Sequence, residues 1–369
     1  MIYLDNAATT YKKPPSVKKA VSDWLECGNA GRGSHSASLA AAEMIYKARG
    51  VAAKLFGAES ENVVFTNNAT TALNFAVSGV ADKRKSFLIS DFEHNSVRRP
   101  VIDLCENGNC NYSVFTTENE SICLREVRNA IKNGTDCVVC LHKSNVTGRE
   151  LPIAKIGEVC RNKGVLFIVD ASQSAGNSHI DMKRNNIDIL CLAGHKGLYG
   201  PQGTGLLILS DGVEIKPTMH GGSGADSRNP AMPDYMPDRL EAGTLSAPLI
   251  AGLMEGMRFV SQVGYRAIAE KEAYLFNKCR DMLDHRNIII YDRELPGANL
   301  LFNIKGKSSA EVSHQLDRVG ICTRPGLHCS PMAHDTLKTG ENGAVRISFS
   351  YFTTENEIAV FCKEIRRMV

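Results

Sequence analysis

The chain has 369 residues, 43% of them hydrophobic and 22% charged. That balance fits a soluble globular protein and excludes a disordered chain, a collagen-like fibre and a small disulfide scaffold. The net charge of +3 is too weak to point to nucleic-acid or membrane-surface binding. The length predicts two domains, or one large and one small.

No run of 18 apolar residues is present, and the start MIYLDNAATT has neither a basic nor an apolar leader region. A cytoplasmic protein without a membrane span is therefore expected. Most of the 12 cysteines sit in apolar runs, among them Cys140, Cys191 and Cys362. They read as small buried hydrophobes in a reducing compartment. Cys137 and Cys140 form a CxxC, but on a strand their side chains face opposite ways, so no metal site is expected there.

Residues 38–56 are Ala-rich with apolar positions at helical spacing, ended by Gly57. Short apolar runs then alternate with helical ones. Strands are predicted over 61–66, 85–90, 136–142, 164–170, 188–194 and 205–210, with helices over 72–81 and 153–163. This alternation describes a mainly parallel sheet with helices on both faces. In such sheets ligands bind outside the carboxyl ends of the strands, and the polar clusters NNATT, EHNS, SNVTG, DASQS and GHK fall there. Residues 221–244 read as a long functional loop. One long helix is predicted over 248–283. A second set of strands and helices follows to the end of the chain, a smaller α/β C-terminal domain.

Two residues suggest the chemistry. Asp170 ends an apolar strand, where a carboxylate would meet a cation outside the sheet. Lys196 lies in a Gly-rich turn after another apolar strand. An acid facing a ring nitrogen and a lysine facing an aldehyde are what pyridoxal 5′-phosphate needs.

LDNAATT, the EHN of DFEHNS, SNVTG, VDASQ, GHK with LYGP and GTG, EAGT and the late RPGLHC occur in this order from Leu4 to about Phe352. Together they resemble class V aminotransferases of the cysteine desulfurase family, with a last segment similar to SufS-like enzymes and selenocysteine lyases. The resemblance implies the PLP-dependent transferase fold type I. It has a seven-stranded sheet in a large domain over 13–250 and a small domain of 1–12 with 251–369. It implies that Lys196 carries pyridoxal 5′-phosphate, that Asp170 pairs with the ring nitrogen, that Gln173 bonds the ring hydroxyl and that His94 stacks on the ring. Ala69, Thr70 and His195 would hold the phosphate, where a Thr-rich turn before a helix suits an anion. Thr244 would reach the phosphate of a neighbouring subunit, which requires a homodimer.

Arg346 matches the arginine that binds the substrate carboxylate, a task suited to a planar two-pronged donor. Asn145 matches the residue that assists it, and Arg32 and His35 match a loop lining the pocket. Cys329 lies in a polar turn rather than an apolar run, and matches the sulfur nucleophile. The adjacent His328 is expected to favour its thiolate, and Cys322 is expected in the core. The implied reaction takes L-cysteine to L-alanine and leaves a persulfide on Cys329 for an acceptor protein or small thiol. The alternatives are a selenocysteine lyase acting on L-selenocysteine and a non-catalytic sulfur-carrier scaffold. Two departures stand out: Ala193 occupies a position where serine is common, and Gly197 is an extra residue in GHKGLYG.

Overall fold

The apolar runs pair as a seven-stranded sheet in the order Val63–Thr66, Gly205–Leu209, Ile189–Ala193, Leu166–Asp170, Cys137–Leu141, Ser86–Ser90 and Asn111–Phe115. All neighbours are parallel except that Gly205–Leu209 runs antiparallel to both its partners. This computed structural model describes residues 1–31, 33–108, 110–224 and 227–369. Arg32, one of the expected pocket residues, lies outside the described residues.

The inner strands are buried along their whole length, because helices cover both faces of the sheet. Strand alternation divides their side chains between two cores. Val138 and Cys140 pack on one face, Cys137 and Val139 on the other. The two cysteines of the CxxC thus lie on opposite faces, as the spacing predicts.

Helix Asn95–Glu106, strand Asn111–Phe115 and helix Glu120–Lys132 have no counterpart in the sequence reading. The strand is an edge with four exposed residues, so its pattern carries no apolar run. The predicted helix over 248–283 is two helices, Ala247–Val263 and Tyr265–Met282. They break at Gly264, whose φ of 86° lies in the left-handed region and cannot continue an α-helix. The first of them packs on the large sheet through Ile250, Leu253 and Met257.

The remaining strands form an antiparallel sheet ordered Arg324–Gly326, Ala344–Ser348, Asn299–Ile304 and Ile288–Tyr291. A third core joins this sheet to helices Tyr265–Met282, Ser309–Asp317 and Glu355–Arg366. Leu4 belongs to it. Strand Ile2–Tyr3 pairs in parallel with Ile321–Cys322, and the Ser348 amide donates to the Leu4 carbonyl at 2.7 Å. Cys322 is half-buried rather than in the core, because alternation along its two-residue strand turns Ile321 into the core and Cys322 away from it. No helix among the described residues is long and apolar enough to cross a membrane.

Candidate active site

Parallel strands deliver the loops at their carboxyl ends to one edge of the sheet. The loops after Val63–Thr66, Ser86–Ser90, Cys137–Leu141, Leu166–Asp170 and Ile189–Ala193 meet around one cavity. Its lining includes Ala69, Thr70, His94, Asn145, Asp170, Gln173, His195 and Lys196. A larger cleft lies at the opposite edge among Glu59, Arg161, Asp188 and Asp211, and includes none of the expected residues. Chemistry rather than size selects the site.

Lys196 follows its strand by three residues. Burial of its amine lowers its pKa to about 8, opposed by Asp170, reinforced by Arg346 and Arg324, and opposed again by Cys329. Asp170 and Cys329 therefore both lie within electrostatic reach of this amine. The turn that carries it is held firmly. The His195 carbonyl accepts from the Thr10 amide at 3.2 Å, the Thr9 hydroxyl at 3.2 Å and the Lys13 ammonium at 2.8 Å. The extra Gly197 has a steric reason: a Cβ there would lie 2.2 Å from the Ala175 carbonyl oxygen.

Asp170 is buried, and its Oδ1 accepts from the Ser172 amide at 2.8 Å. Gln173 donates from Nε2 to the Ala7 carbonyl at 2.9 Å at the cavity wall. His94 caps helix Asn95–Glu106, its Nδ1 accepting from the Ser96 amide at 3.0 Å. Burial and then the Lys196 charge lower its pKa to about 4. It is a neutral ring at physiological pH, suited to stacking. Ser96 Oγ also lies 2.8 Å from Thr70 Oγ1.

Helix Ala69–Val80 points its amino terminus at the cavity, capped by Asn68, which accepts from the Thr71 amide at 2.9 Å. His195 Nδ1 is buried with no partner. Burial, with Lys196 and Lys13 nearby, lowers the pKa of that ring to about 4. A helix amino terminus beside an unpartnered imidazole nitrogen can take a phosphate. With a carboxylate and a buried amine at the other end, the donor set fits pyridoxal 5′-phosphate.

Arg346 lies on the buried strand Ala344–Ser348. Its Nη1 donates to the Asn145 carbonyl at 2.7 Å and its Nη2 to Asp5 Oδ1 at 2.8 Å. Its Nε is buried without a partner, a donor left open for an anion. The Asn145 amide brackets the nucleophile candidate, donating to the His328 carbonyl at 2.7 Å and accepting from Ser330 Oγ at 2.8 Å. The Asn95 amide donates to the Cys329 carbonyl at 2.7 Å. His328 and Cys329 are consecutive non-glycine residues with φ of 52° and 58°, a strained turn that leaves Cys329 exposed.

His328 does not supply a positive charge to Cys329. It is buried, donating from Nε2 to the Arg324 carbonyl at 3.0 Å. Its Nδ1 then accepts from His334 Nε2 at 2.9 Å, and His334 Nδ1 from the Thr339 hydroxyl at 2.8 Å. Burial and the Arg346 charge lower the His328 pKa to about 3, so the ring is neutral and braces the loop. His35 and Thr244 do not line the cavity of a single chain. His35 is exposed and caps helix Ser36–Phe56. Thr244 is exposed, with Asn29 Nδ2 donating to it at 3.5 Å.

The sequence reading missed Asp5, Ser96 and Lys143. Asp5 stood in a noted motif without a role, and its signal was an acid beside an apolar strand. Lys143 lines the cavity and donates to Asn177 Oδ1 at 3.1 Å.

An aminotransferase class-V family model matches residues 2–361. The chain is 31% identical to a probable cysteine desulfurase of Methanothermobacter thermautotrophicus, covering 97% of this chain and 92% of that protein. It is 30% identical to the cysteine desulfurase IscS of an Enterobacter species, covering 100% and 92%. An apo cysteine desulfurase from Thermococcus onnurineus superposes with a TM-score of 0.92 at 28% identity, covering 100% of this chain and 94% of that one. A match over nearly the whole length, with the motif residues gathered at one sheet edge, settles the affiliation: the chain belongs to the class V aminotransferase family.

Proposed function

We propose that the protein is a cysteine desulfurase that converts L-cysteine to L-alanine and carries the sulfur away on Cys329. The observation that carries this reading is the convergence of three groups. The lowered-pKa amine of Lys196 feels both Asp170 and Cys329, and the Cys329 thiol is exposed on a loop braced against the same cavity. The relatives reported above carry the same activity in their names.

Pyridoxal 5′-phosphate supplies, when bound, an aldehyde for the amino group and an electron-poor ring that takes up the electron pair left at the substrate Cα. Lys196 is the amine that would carry it, and Asp170 would hold the proton on its ring nitrogen. Gln173 and the neutral His94 would fix the ring, and Ala69, Thr70 and His195 the phosphate. Arg346, with an open Nε–H, would seat the substrate carboxylate beside Asn145. Lys196 would then take the Cα proton as general base. The Cys329 thiolate would attack the substrate sulfur, forming an S–S bond as the carbon–sulfur bond breaks. The electron pair of the broken bond would stay on the substrate Cβ, which takes a proton from solvent, and Lys196 would return its proton to Cα to complete L-alanine. An acceptor protein or small thiol would remove the sulfur from Cys329. Thr244, exposed and outside its own chain's cavity, supports a homodimer in which it serves the neighbouring site. The separate third core around Leu4 and residues after Leu275 supports a small domain made of both chain ends.

The holoprotein given L-cysteine and an excess of a small dithiol, which reduces the persulfide and is itself oxidised to its disulfide, should release alanine and sulfide in equal amounts. Cys329→Ser should lose sulfide release but keep the visible absorbance of the bound cofactor. Unchanged sulfide release would overturn the assignment of Cys329. Turnover of L-selenocysteine alone would favour the lyase instead.

A further inference from the structure

The amino-terminal motif contains an acid whose place in the fold the reaction above does not use. Strand Ile2–Tyr3 pairs with Ile321–Cys322, and Asp5 bridges to Ser348. This threads Asp5 between two strands that each present an arginine. Arg324 and Arg346 are direct cross-strand partners in the antiparallel ladder. Like charges at such a pair repel. Asp5 resolves the conflict, accepting from Arg346 Nη2 on Oδ1 at 2.8 Å and from Arg324 Nε on Oδ2 at 3.0 Å. Arg346 is almost fully buried, Asp5 is 9% exposed, and the Arg324 side chain is half exposed. Two cations and one anion leave a net charge of one. Both arginines lie within electrostatic reach of the Lys196 amine, so this charge acts at the reacting centre.

We propose that Asp5 is a specificity-determining positioning residue: by occupying one arginine equivalent, it sets the site to accept a single substrate carboxylate and to discriminate against amino acids with a second acidic group. This rests on the reading that Arg346 seats the substrate carboxylate. Asp5 also holds the Arg346 fork from one side, so that its unpartnered Nε–H stays available on the other. Arg324 lies five residues before Cys329 in sequence. Released from Asp5, it would be free to bind the side-chain carboxylate of a dicarboxylic amino acid.

The test measures dissociation constants of the holoprotein for L-alanine and L-aspartate by calorimetry, with no turnover needed. In Asp5→Asn the preference should shift towards L-aspartate by about tenfold or more, since an uncompensated guanidinium faces the second carboxylate. In Arg324→Gln the site becomes neutral, and L-alanine should bind about tenfold more weakly. The double variant Asp5→Asn/Arg324→Gln should return both constants towards wild type, which a merely structural role of Asp5 would not produce. An unchanged alanine-to-aspartate ratio in Asp5→Asn, or a double variant weaker than either single one, overturns the proposal. If Asp5→Asn does not fold, unchanged L-alanine affinity in Arg324→Gln overturns it and about tenfold weaker binding supports it. A wild-type holoprotein that binds L-alanine but releases no sulfur from L-cysteine would remove the desulfurase reading while leaving the charge argument measurable. One that binds neither L-alanine nor L-cysteine overturns both.

Discussion

Glu93 follows strand Ser86–Ser90 and is wholly buried. Its Oε1 accepts from the Leu141 amide at 2.9 Å and from the Ser90 hydroxyl, while Oε2 has no partner. Burial, with Asp170 nearby, raises its pKa to about 8. The folded state therefore holds a proton that the unfolded chain releases. Stability should fall as pH rises from the ordinary carboxylate range through about 8, by at most about 1.4 kcal/mol per pH unit. Glu93→Gln should remove that slope in denaturant midpoints measured across the window; an unchanged slope would refute it. The histidine pair under Cys329 has the opposite sign. Burial lowers the folded pKa values of His328 and His334 to about 3 and about 4, below the ordinary 6.5 of a histidine. Their contribution is present above about 6.5 and is lost as pH falls towards the folded values. His334→Gln should flatten the loss of stability between about 6.5 and 4 relative to wild type. Lys196 and Asp170 were legible in the sequence because one closely follows an apolar strand and the other ends one. The neutral state of His328 was not, because it depends on burial and on Arg346, which is adjacent only in space.

The turn that presents Lys196 is fixed by contact between two backbones. A Cβ on Gly176, whose φ is 104°, would lie 2.1 Å from the Gly197 carbonyl oxygen, and one on Gly197 would strike Ala175. Gly197→Ala should cost about 1–3 kcal/mol from overpacking and displace the turn. It should lose cofactor absorbance at cofactor levels that saturate wild type, and full loading with wild-type stability would refute this. The buried parallel strands were readable as apolar runs, since helices cover both faces. Strand Asn111–Phe115 was not, because an edge with exposed alternate and intervening residues lacks that signal. The break between the two long helices rests on one glycine, and glycine inside a helical pattern does not announce whether it bends the chain or is tolerated. The short strand Arg324–Gly326 and helix Pro331–Leu337 flank Cys329 and were read only as a polar turn. Their role is visible once pairing with Ala344–Ser348 is known.

One buried ion pair and one backbone hydrogen bond tie the loop over 221–244 to helix Ser36–Phe56 and to the large sheet. Arg49 grips Glu241 with both nitrogens, Nη1 to Oε1 at 2.8 Å, and Glu241 accepts from the Phe65 amide at 2.7 Å. Both side chains are buried, so Arg49→Leu leaves an unpaired carboxyl and should cost about 3–5 kcal/mol, read as a lower denaturation midpoint. A change within error would show the pair to be dispensable. Because Glu241 precedes Thr244, the same variant should weaken cofactor binding in the assembled protein, which is expected to sediment at twice 40.2 kDa. The account as a whole depends on where the sulfur of L-cysteine goes. A single turnover of the holoprotein, followed by peptide mass spectrometry without reductant, reads this directly. The account predicts one added sulfur on the peptide containing Cys329 and one alanine released. Alanine release with the added sulfur on another cysteine, or on none, would contradict it.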